Sequence, residues 1–239
     1  MDLQLSIGMA KNPRTRATFE GEVKPEGVDL ICTPRHASEL FWRQLRFSDF
    51  DVSEMSVSSY MMAVAGGDNR WIGIPVFTTR RMFQFGILVR KDRAGTDNLV
   101  DRSTIDLYRH PDFKTLFPDP HAEGVRWYKK TGIYPINHGM IVKREIAEKH
   151  PWVVLSIFRA FVRASELAEQ ARLEAVEYHV ETGALPPASR AALATPLIRH
   201  GIQANRKVLE TAARYSFEQG LTPRLMKLEE LFAPSLIDQ

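Results

Sequence analysis

The sequence has very little cysteine, and this scarcity excludes two classes of site. Its 239 residues include a single cysteine, Cys32, in the apolar run Val-Asp-Leu-Ile-Cys. One thiol cannot build an internal disulfide framework or a cysteine-based metal site. Cys32 is therefore predicted to be a small buried hydrophobic residue rather than a nucleophile.

Long apolar runs and a strong excess of one charge are also missing. No apolar run approaches the roughly 18 residues needed to cross a bilayer. The N-terminus lacks a basic segment followed by a long apolar one, so we expect neither membrane insertion nor a secretory signal, and a cytoplasmic location. Thirty-two Lys and Arg residues against 29 Asp and Glu leave a net charge of +3, with the basic residues scattered. Nucleic acid is therefore not an expected partner.

The histidines do not have the spacing of a metal site. None of the seven lies in a His-x-His or His-x-x-x-His pattern. The sequence therefore predicts no local metal site.

The N-terminal part alternates between strand and helix patterns. Its predicted strands are residues 3–9, 27–32, 50–52, 71–77 and 85–91, and its predicted helices are 37–47 and one from Ser56–Ser59 to Gly66. This order predicts an α/β lobe with a largely parallel sheet. Ligands of such sheets bind beyond the carboxyl ends of the strands. That edge would carry Arg14, the serines at 56, 58 and 59, and residues 78–81.

The C-terminal half is predicted to be mostly helical. A short helix ending at Gly132 and a strand around residues 133–140 precede a long amphipathic helix that begins near Pro151. Further helices are predicted around residues 202–221 and 225–234.

Several stretches taken together resemble one family. They are RTR (14–16), FDVSEMSVSSY (50–60), IPVF (74–77), LFPDP (116–120), YKKTGIYPINH (128–138), KHPWVVLSIFRAF (149–161) and residues 204–234. In this order they are similar to the 4,5-dihydroxyphthalate decarboxylase family. The resemblance implies a type II periplasmic-binding-protein-like α/β fold, with one main lobe, a reduced second lobe and a helical C-terminal part.

The chain departs from that family in two places. Between residues 91 and 116 it has a short polar bridge where the family carries on the order of 100 residues, about a domain's worth. The expected organisation is therefore lobe 1 from residues 1–91, a shortened second-lobe remnant from 92–132, and a return to lobe 1 with the C-terminal helices from 133–239. A homo-oligomer whose partner subunit completes the short lobe fits this organisation. Gln84 occupies the position of a family histidine.

The implied reaction needs an orienting group for a carboxylate and a proton donor for carbon. Arginine suits the first task because its planar fork pairs bidentately with carboxylate. The candidates are Arg14, Arg16, Arg80 and Arg81, and His138 is the candidate proton-transfer residue. A ring hydroxyl para to the leaving group can accept the electrons once it is tautomerised to a ketone, so no organic cofactor is required.

Several of these assignments have a structural alternative. His138 either transfers a proton or hydrogen-bonds the backbone of a segment between lobes, and its neighbour Asn137 is a further candidate ligand contact. The serines Ser56, Ser58 and Ser59 either bind an anion at a helix start or cap that helix. Tyr60 is either a ligand-binding phenol or a core aromatic residue. Glu54 is either a base or part of a helix cap.

Three functions follow from these observations. The first is a cofactor-independent decarboxylase of 4,5-dihydroxyphthalate or a related hydroxylated aromatic acid. The second is a solute-binding protein that holds a small carboxylate without chemistry, which the loss of the family histidine at Gln84 favours. The third is a truncated, inactive relative, because a site that does not exclude water loses much of its electrostatic strength.

Overall fold

The computed structural model describes residues 2–91, 99–100, 111–196 and 198–239. Within them the chain divides into two compact units, the first formed by Met1–Thr79 and Ile136–Gln239 and the second by Arg80–Pro135. The predicted boundaries lay after residues 91 and 132, whereas the boundaries in the structure lie after residues 79 and 135. The strand predicted at 85–91 is shorter and belongs to the second unit, because it pairs with strands of that unit. Residues 92–98 and 101–110 of the predicted remnant lie outside the described residues.

Eight strands are present in the described part of the chain. They are β1 (Leu3–Met9), β2 (Val28–Pro34), β3 (Val52–Ser56), β4 (Trp71–Arg80), β5 (Leu88–Arg90), β6 (Leu99–Val100), β7 (Phe113–Thr115) and β8 (Ile136–Lys143).

The same part of the chain contains nine α-helices. They are α1 (Pro13–Phe19), α2 (Ala37–Phe47), α3 (Val57–Ala65), α4 (Pro120–Thr131), α5 (Arg144–Lys149), α6 (Pro151–Glu181), α7 (Ser189–Leu193), α8 (Arg206–Glu218) and α9 (Leu228–Leu231).

The first unit is built on a five-stranded sheet in the order β2-β1-β3-β8-β4. β1 runs parallel to both β2 and β3, as the alternating pattern predicts. β8 follows the second unit in the sequence and pairs antiparallel with β3. The sheet is therefore mixed rather than largely parallel. The strand register pairs Ser56 directly with His138 and Glu54 with Met140. The end of β3 and the start of β8 therefore meet at one edge of the sheet.

Each face of this sheet carries its own apolar core. Val76 and Met140 belong to a cluster that includes the α6 residues Ile157 and Phe161. Phe77 and Ile141, the next residue on each strand, belong to a second cluster that includes residues of α3, α8 and α9. Successive side chains of a strand point to opposite faces, which explains how one sheet supports both cores. Both strands are accordingly apolar over consecutive residues.

The described residues of the second unit form a three-stranded antiparallel sheet and one α-helix. Its strand order is β6-β5-β7. The Asp119 side chain caps α4 by accepting from the Ala122 amide, and Pro120 occupies the first helical turn. Gly132 ends the helix with a φ of 66°, a left-handed conformation that glycine adopts without steric cost.

Helix α1 lies in a segment for which no helix was predicted. Asn12 caps it by accepting from the Arg14 amide, while Thr15 bonds back to the Asn12 amide, which forms a capping box. Pro13 stands at the first helical position, where its missing N–H costs nothing. This short capped helix places Arg14 and Arg16 in its first turns.

A cluster of polar side chains joins three strands at the opposite end of the sheet. Asp51 accepts from the amide and the hydroxyl of Ser6 at 2.9 and 2.8 Å, and from Lys143 Nζ at 2.9 Å. Burial alone would raise the pKa of the Asp51 carboxyl. The hydrogen bonds from Ser6 and Lys143 outweigh burial and lower the pKa below its ordinary value of 3.8. The cluster joins residues from β1, the start of β3 and the end of β8.

We expect the stability of the protein to fall as the pH drops below about 5. The lowered pKa of Asp51 means that the unfolded chain binds more protons than the folded chain in this range. The stabilisation is therefore present above the ordinary pKa and is lost as pH falls through the folded pKa. Asp51→Asn should lower the free energy of unfolding by about 1–3 kcal/mol at pH 7 and flatten its acid dependence. Urea titrations at several pH values measure both effects.

The exposed Asp238 provides the matched control for this prediction. Asp238→Asn should leave the pH dependence of unfolding as it is in the wild-type protein. An Asp51→Asn variant with the wild-type acid slope would show that Asp51 does not contribute to it.

Candidate functional site

A fully buried carboxylate lies where β3, β4 and β8 approach one another. Glu54 on β3 has a side-chain exposure of 0%. Its Oε1 accepts from the Thr78 hydroxyl at 2.6 Å and lies 2.9 Å from Nδ1 of His138. Its Oε2 accepts from the Ala10 amide at 2.8 Å. Three partners from three different parts of the chain thus hold one carboxylate.

These hydrogen bonds decide the charge of Glu54. Burial by itself would raise the pKa of the carboxyl, because it disfavours the ionised form. The bonds from His138, Thr78 and the Ala10 amide more than offset burial, and they lower the pKa of Glu54 below its ordinary 4.5. Glu54 is therefore an anion at neutral pH, and it lies within β3, so the helix-cap alternative for it was wrong.

The ionised state of Glu54 also decides how His138 is oriented. An ionised carboxylate only accepts hydrogen bonds, so Nδ1 of His138 is the donor in their 2.9 Å contact. Nε2 is then the ring nitrogen that takes or gives a proton. The ring of Phe41 on α2 meets the imidazole edge to face, with centroids 4.8 Å apart and planes at 88°. The side chain of His138 remains 22% exposed. His138 is therefore a fixed imidazole with access to solvent.

The segment from Ala10 to Thr15 supplies the other side of this site. The Ala10 amide donates to Glu54, while its carbonyl accepts from the Thr15 hydroxyl at 2.9 Å. Arg14 donates from Nε and Nη2 to the backbone carbonyl of Thr78, at 3.0 and 2.8 Å. The predicted arginine and the predicted histidine are thus joined through Thr78 and Glu54.

The predicted serine cluster lies at the same edge of the sheet, and its contacts are those of a helix cap. Ser56 is the N-cap of α3, and its hydroxyl accepts from the Ser59 amide at 3.3 Å. The hydroxyls of Ser56 and Ser58 are 3.1 Å apart. Capping, the structural alternative for these serines, is therefore present. Ser56 is also the direct cross-strand neighbour of His138.

Tyr60 belongs to the core and not to the candidate site. It is 5% exposed, and its hydroxyl donates to the Leu231 carbonyl at 2.5 Å. Burial raises the pKa of this phenol above its ordinary value, so it stays protonated. The structure thus selects the core alternative for Tyr60, because its one polar atom is bonded inside the protein.

The other predicted arginines are placed differently from Arg14. Arg16 is exposed and lies 3.9 Å from Glu20 in an ion pair. Arg80 belongs to the second unit, where its Nη1 donates to the Tyr134 carbonyl at 3.0 Å. Arg81 is also in the second unit and is exposed. The contacts within the first unit therefore bring only Arg14 of these four into the network of Glu54 and His138.

Two further predicted positions contain buried polar atoms. Oδ1 of Asn137, next to His138, is buried and has no hydrogen-bond partner among the described residues. The same holds for Oε1 of Gln84, which lies in a 3₁₀ turn of the second unit.

Sequence patterns alone did not indicate that Thr78 belongs to this site or that Glu54 pairs with His138. One signal was available for Glu54, which is the acidic residue inside the strand Val-Ser-Glu-Met-Ser. A charged residue is almost never fully buried unless it is paired. The position of Glu54 inside this strand therefore indicated that it has a polar or charged partner. Thr78 offered no such signal, because a threonine at the end of a strand is common.

The described part of the chain contains neither a metal-binding cluster nor a membrane-spanning helix. No group of three or more His, Cys, Asp or Glu side chains there is placed to hold a metal ion. None of its helices has the length and apolar character needed to cross a membrane.

Sequence comparison finds similarity to two decarboxylases. The chain is 23% identical to 4,5-dihydroxyphthalate decarboxylase from Comamonas testosteroni, across 99% of this chain and 98% of that protein. That alignment is 323 positions long, so the relative contains residues that have no counterpart among the 239 here. A 99-residue stretch is 37% identical to the enzyme of the same name from Pseudomonas putida, and it covers 41% of this chain and 38% of that one. No family model matches the chain.

Structure comparison identifies the fold. The periplasmic sulfonate-binding protein SsuA from Methylobacillus flagellatus superposes with a TM-score of 0.51 at 12% identity, over 98% of this chain and 92% of that one. The chain has a periplasmic-binding-protein-like fold. Protein AF1704 from Archaeoglobus fulgidus also superposes, with a TM-score of 0.55 at 12% identity, over 91% of this chain and 98% of that one. The predicted fold class is thus confirmed, and at these identities the periplasmic-binding-protein-like fold is all that the superpositions show.

Proposed function

We propose that this chain is a cofactor-independent decarboxylase of 4,5-dihydroxyphthalate or a related hydroxylated aromatic carboxylate. The observation that carries the proposal is the pair of Glu54 and His138, in which a buried anion holds Nδ1 and leaves Nε2 for proton transfer. Similarity to the Comamonas decarboxylase over the full chain supports the same reaction.

The pair fits the chemical requirement of this reaction. A ring hydroxyl para to the leaving carboxylate pushes electrons onto the carbon that bears it, and this carbon takes a proton from Nε2 of the His138 imidazolium. The bond to the carboxylate then breaks, carbon dioxide leaves, and the electron pair of that bond restores the aromatic ring. Glu54 stabilises the imidazolium before the transfer, because the opposite charge lies 2.9 Å from Nδ1. Solvent returns the proton to Nε2 afterwards.

The same edge of the sheet offers groups that attract a carboxylate. Arg14 brings a positive charge to the backbone of Thr78, next to the buried pair. The N-terminus of α3 begins at Val57, beside the residue that pairs with His138. Helix N-termini attract anions through their free N–H groups and the helix dipole. We therefore propose that Arg14 and the start of α3 orient the carboxylates, and that Asn137, adjacent to His138, contacts the ligand.

A solute-binding protein for a small carboxylate is the second candidate. The periplasmic-binding-protein-like fold favours it, because one such neighbour is a sulfonate-binding protein. The same groups would hold an anion in either case, since binding uses charge and hydrogen-bond donors while turnover also needs proton transfer. The two functions thus differ in whether Nε2 of His138 transfers a proton to the ligand.

The deciding experiment incubates the purified protein with 4,5-dihydroxyphthalate and measures carbon dioxide release together with the shift in melting temperature. Phthalate is the matched ligand, because it has both carboxylates and lacks the hydroxyls that push electrons. We expect release from 4,5-dihydroxyphthalate, no release from phthalate, and stabilisation by both, by about 2.7 kcal/mol at a ligand concentration 100-fold above Kd.

The other outcomes separate the alternatives. Stabilisation without release would support the solute-binding function, and an added alkanesulfonate would then test whether the site prefers sulfonates. No release and no stabilisation with any of these ligands would contradict both proposals and support a truncated, inactive relative. Repeating the assay with a chelator tests whether a metal ion contributes.

A further inference from the structure

One buried residue touches both halves of the candidate site. Thr78 on β4 is 2% exposed. Its hydroxyl donates to Oε1 of Glu54 at 2.6 Å, and this is the same oxygen that His138 contacts. Its backbone carbonyl accepts from Nε and Nη2 of Arg14. The side chain of Thr78 therefore faces the proton-transfer pair while its carbonyl holds the arginine.

The hydroxyl constrains where Glu54 can place its charge. A hydrogen bond to a carboxylate is charge-assisted and stronger than one between neutral groups. With Thr78 on Oε1 and the Ala10 amide on Oε2, each carboxylate oxygen has its own anchor besides His138. Rotation of the carboxylate would break one of these anchors. Thr78 and the Ala10 amide together thus fix the direction from which the Glu54 carboxylate accepts the hydrogen bond of His138 Nδ1.

The carbonyl constrains Arg14 in a comparable way. Nε and Nη2 form the edge of a guanidinium that pairs bidentately with a carboxylate. Here both nitrogens donate to one oxygen, at 3.0 and 2.8 Å, which fixes the plane of the guanidinium. A ligand carboxylate that used this same edge would have to displace the Thr78 carbonyl.

We infer that Thr78 is a positioning residue whose hydroxyl aligns Glu54 and His138 for proton transfer and whose carbonyl independently orients Arg14 for ligand binding. This inference rests on the proposed function. Since the two tasks use different atoms, a change to the side chain should affect turnover and leave ligand binding intact.

Thr78→Val tests this separation, because valine keeps the shape of threonine and removes the hydroxyl. We expect kcat to fall by about 10- to 100-fold, as for a small misplacement of reacting groups, while KM changes by less than about 2-fold. Thr78→Ser keeps the hydroxyl and should restore kcat to within about 3-fold of the wild type. Steady-state kinetics on the three proteins measures the split between kcat and KM.

Thr222 offers a matched control. It is also 2% exposed, and its hydroxyl has no hydrogen-bond partner among the described residues. Thr222→Val therefore removes a buried threonine hydroxyl without breaking a bond, and it should leave kcat and KM as in the wild type. Wild-type kcat in Thr78→Val, or equal losses in Thr78→Val and Thr78→Ser, would overturn the inference.

A second readout does not depend on turnover. The proton on Nδ1 of His138 gives a downfield NMR signal when it is bonded to a carboxylate, and Glu54→Gln identifies that signal by moving it. In Thr78→Val we expect the signal to move upfield, because Oε1 loses the donor that directs it at Nδ1 and the hydrogen bond between them becomes longer or more bent. If Thr78→Val does not fold, Thr78→Ala, which is smaller and also lacks the hydroxyl, replaces it.

The two readouts keep this inference distinct from the proposed function. A wild-type protein without carbon dioxide release contradicts the proposed function, yet the NMR shift still shows whether Thr78 aligns the pair. A wild-type protein that turns over, combined with an unchanged signal and unchanged kcat in Thr78→Val, overturns only the role of Thr78.

Discussion

Replacing His138 with asparagine is expected to lower kcat for carbon dioxide release by about 10²- to 10⁴-fold, the range that general acid–base catalysis contributes. Asparagine keeps an amide N–H close to the position of Nδ1, so Glu54 retains a donor. It lacks Nε2, so it has no group that transfers a proton near neutral pH. The variant should therefore lose turnover and keep the buried network that supports folding.

Binding and folding are measured alongside turnover. Phthalate should still raise the melting temperature of His138→Asn, because the groups that attract carboxylates are unchanged. His179 on α6 is exposed, and His179→Asn serves as the control with wild-type kcat. Release of carbon dioxide by His138→Asn at the wild-type rate would remove His138 from the mechanism.

Replacing Glu54 with glutamine is expected to lower kcat by about 10²- to 10⁴-fold through its effect on His138. Glutamine removes the negative charge that lies 2.9 Å from Nδ1, so the imidazolium loses its stabilising partner. One end of the glutamine amide is also a donor, which favours the tautomer that accepts at Nδ1. In that tautomer the amide donor occupies Nδ1, so the ring does not carry the second proton that makes Nε2 an acid.

Glu54→Gln should also affect stability, because three hydrogen bonds to a buried anion become bonds to a neutral amide. We expect a loss of about 1–3 kcal/mol in the free energy of unfolding, measured by urea titration at pH 7. Glu26 is exposed, and Glu26→Gln is the control for both measurements. Full activity in a folded Glu54→Gln variant would show that the carboxylate does not act on His138.

Local sequence patterns predicted many of the helices and strands of the first unit. The helix predicted to start among Ser56–Ser59 and to stop at Gly66 is α3, Val57–Ala65, and its cap is Ser56. The helix predicted from Pro151 is α6, Pro151–Glu181. These predictions were accurate because caps, proline and apolar periodicity act over a few neighbouring residues. Helix α1 was missed, although Asn12 and Pro13 form a start signal of the same kind.

Patterns in the sequence were less informative about partners between strands. The local sequence of residues 136–143 does not indicate that β8 lies between β3 and β4 or that it runs antiparallel to β3. A strand carries its apolar pattern in either direction, and only pairing decides which neighbour it has. The same limit applied to Tyr60, whose hydroxyl partner at Leu231 lies 171 residues away.

The sequence by itself determined the α/β character of the chain, the positions of several helices and the chemical suitability of His138 for proton transfer. The tertiary structure decided that Glu54 is a buried anion beneath that histidine, and that Thr78 joins both to Arg14. The physical reason is sequence distance. The donors to Glu54 lie 24, 44 and 84 residues from it, and a carboxylate becomes a stable buried anion only where folding brings such donors together.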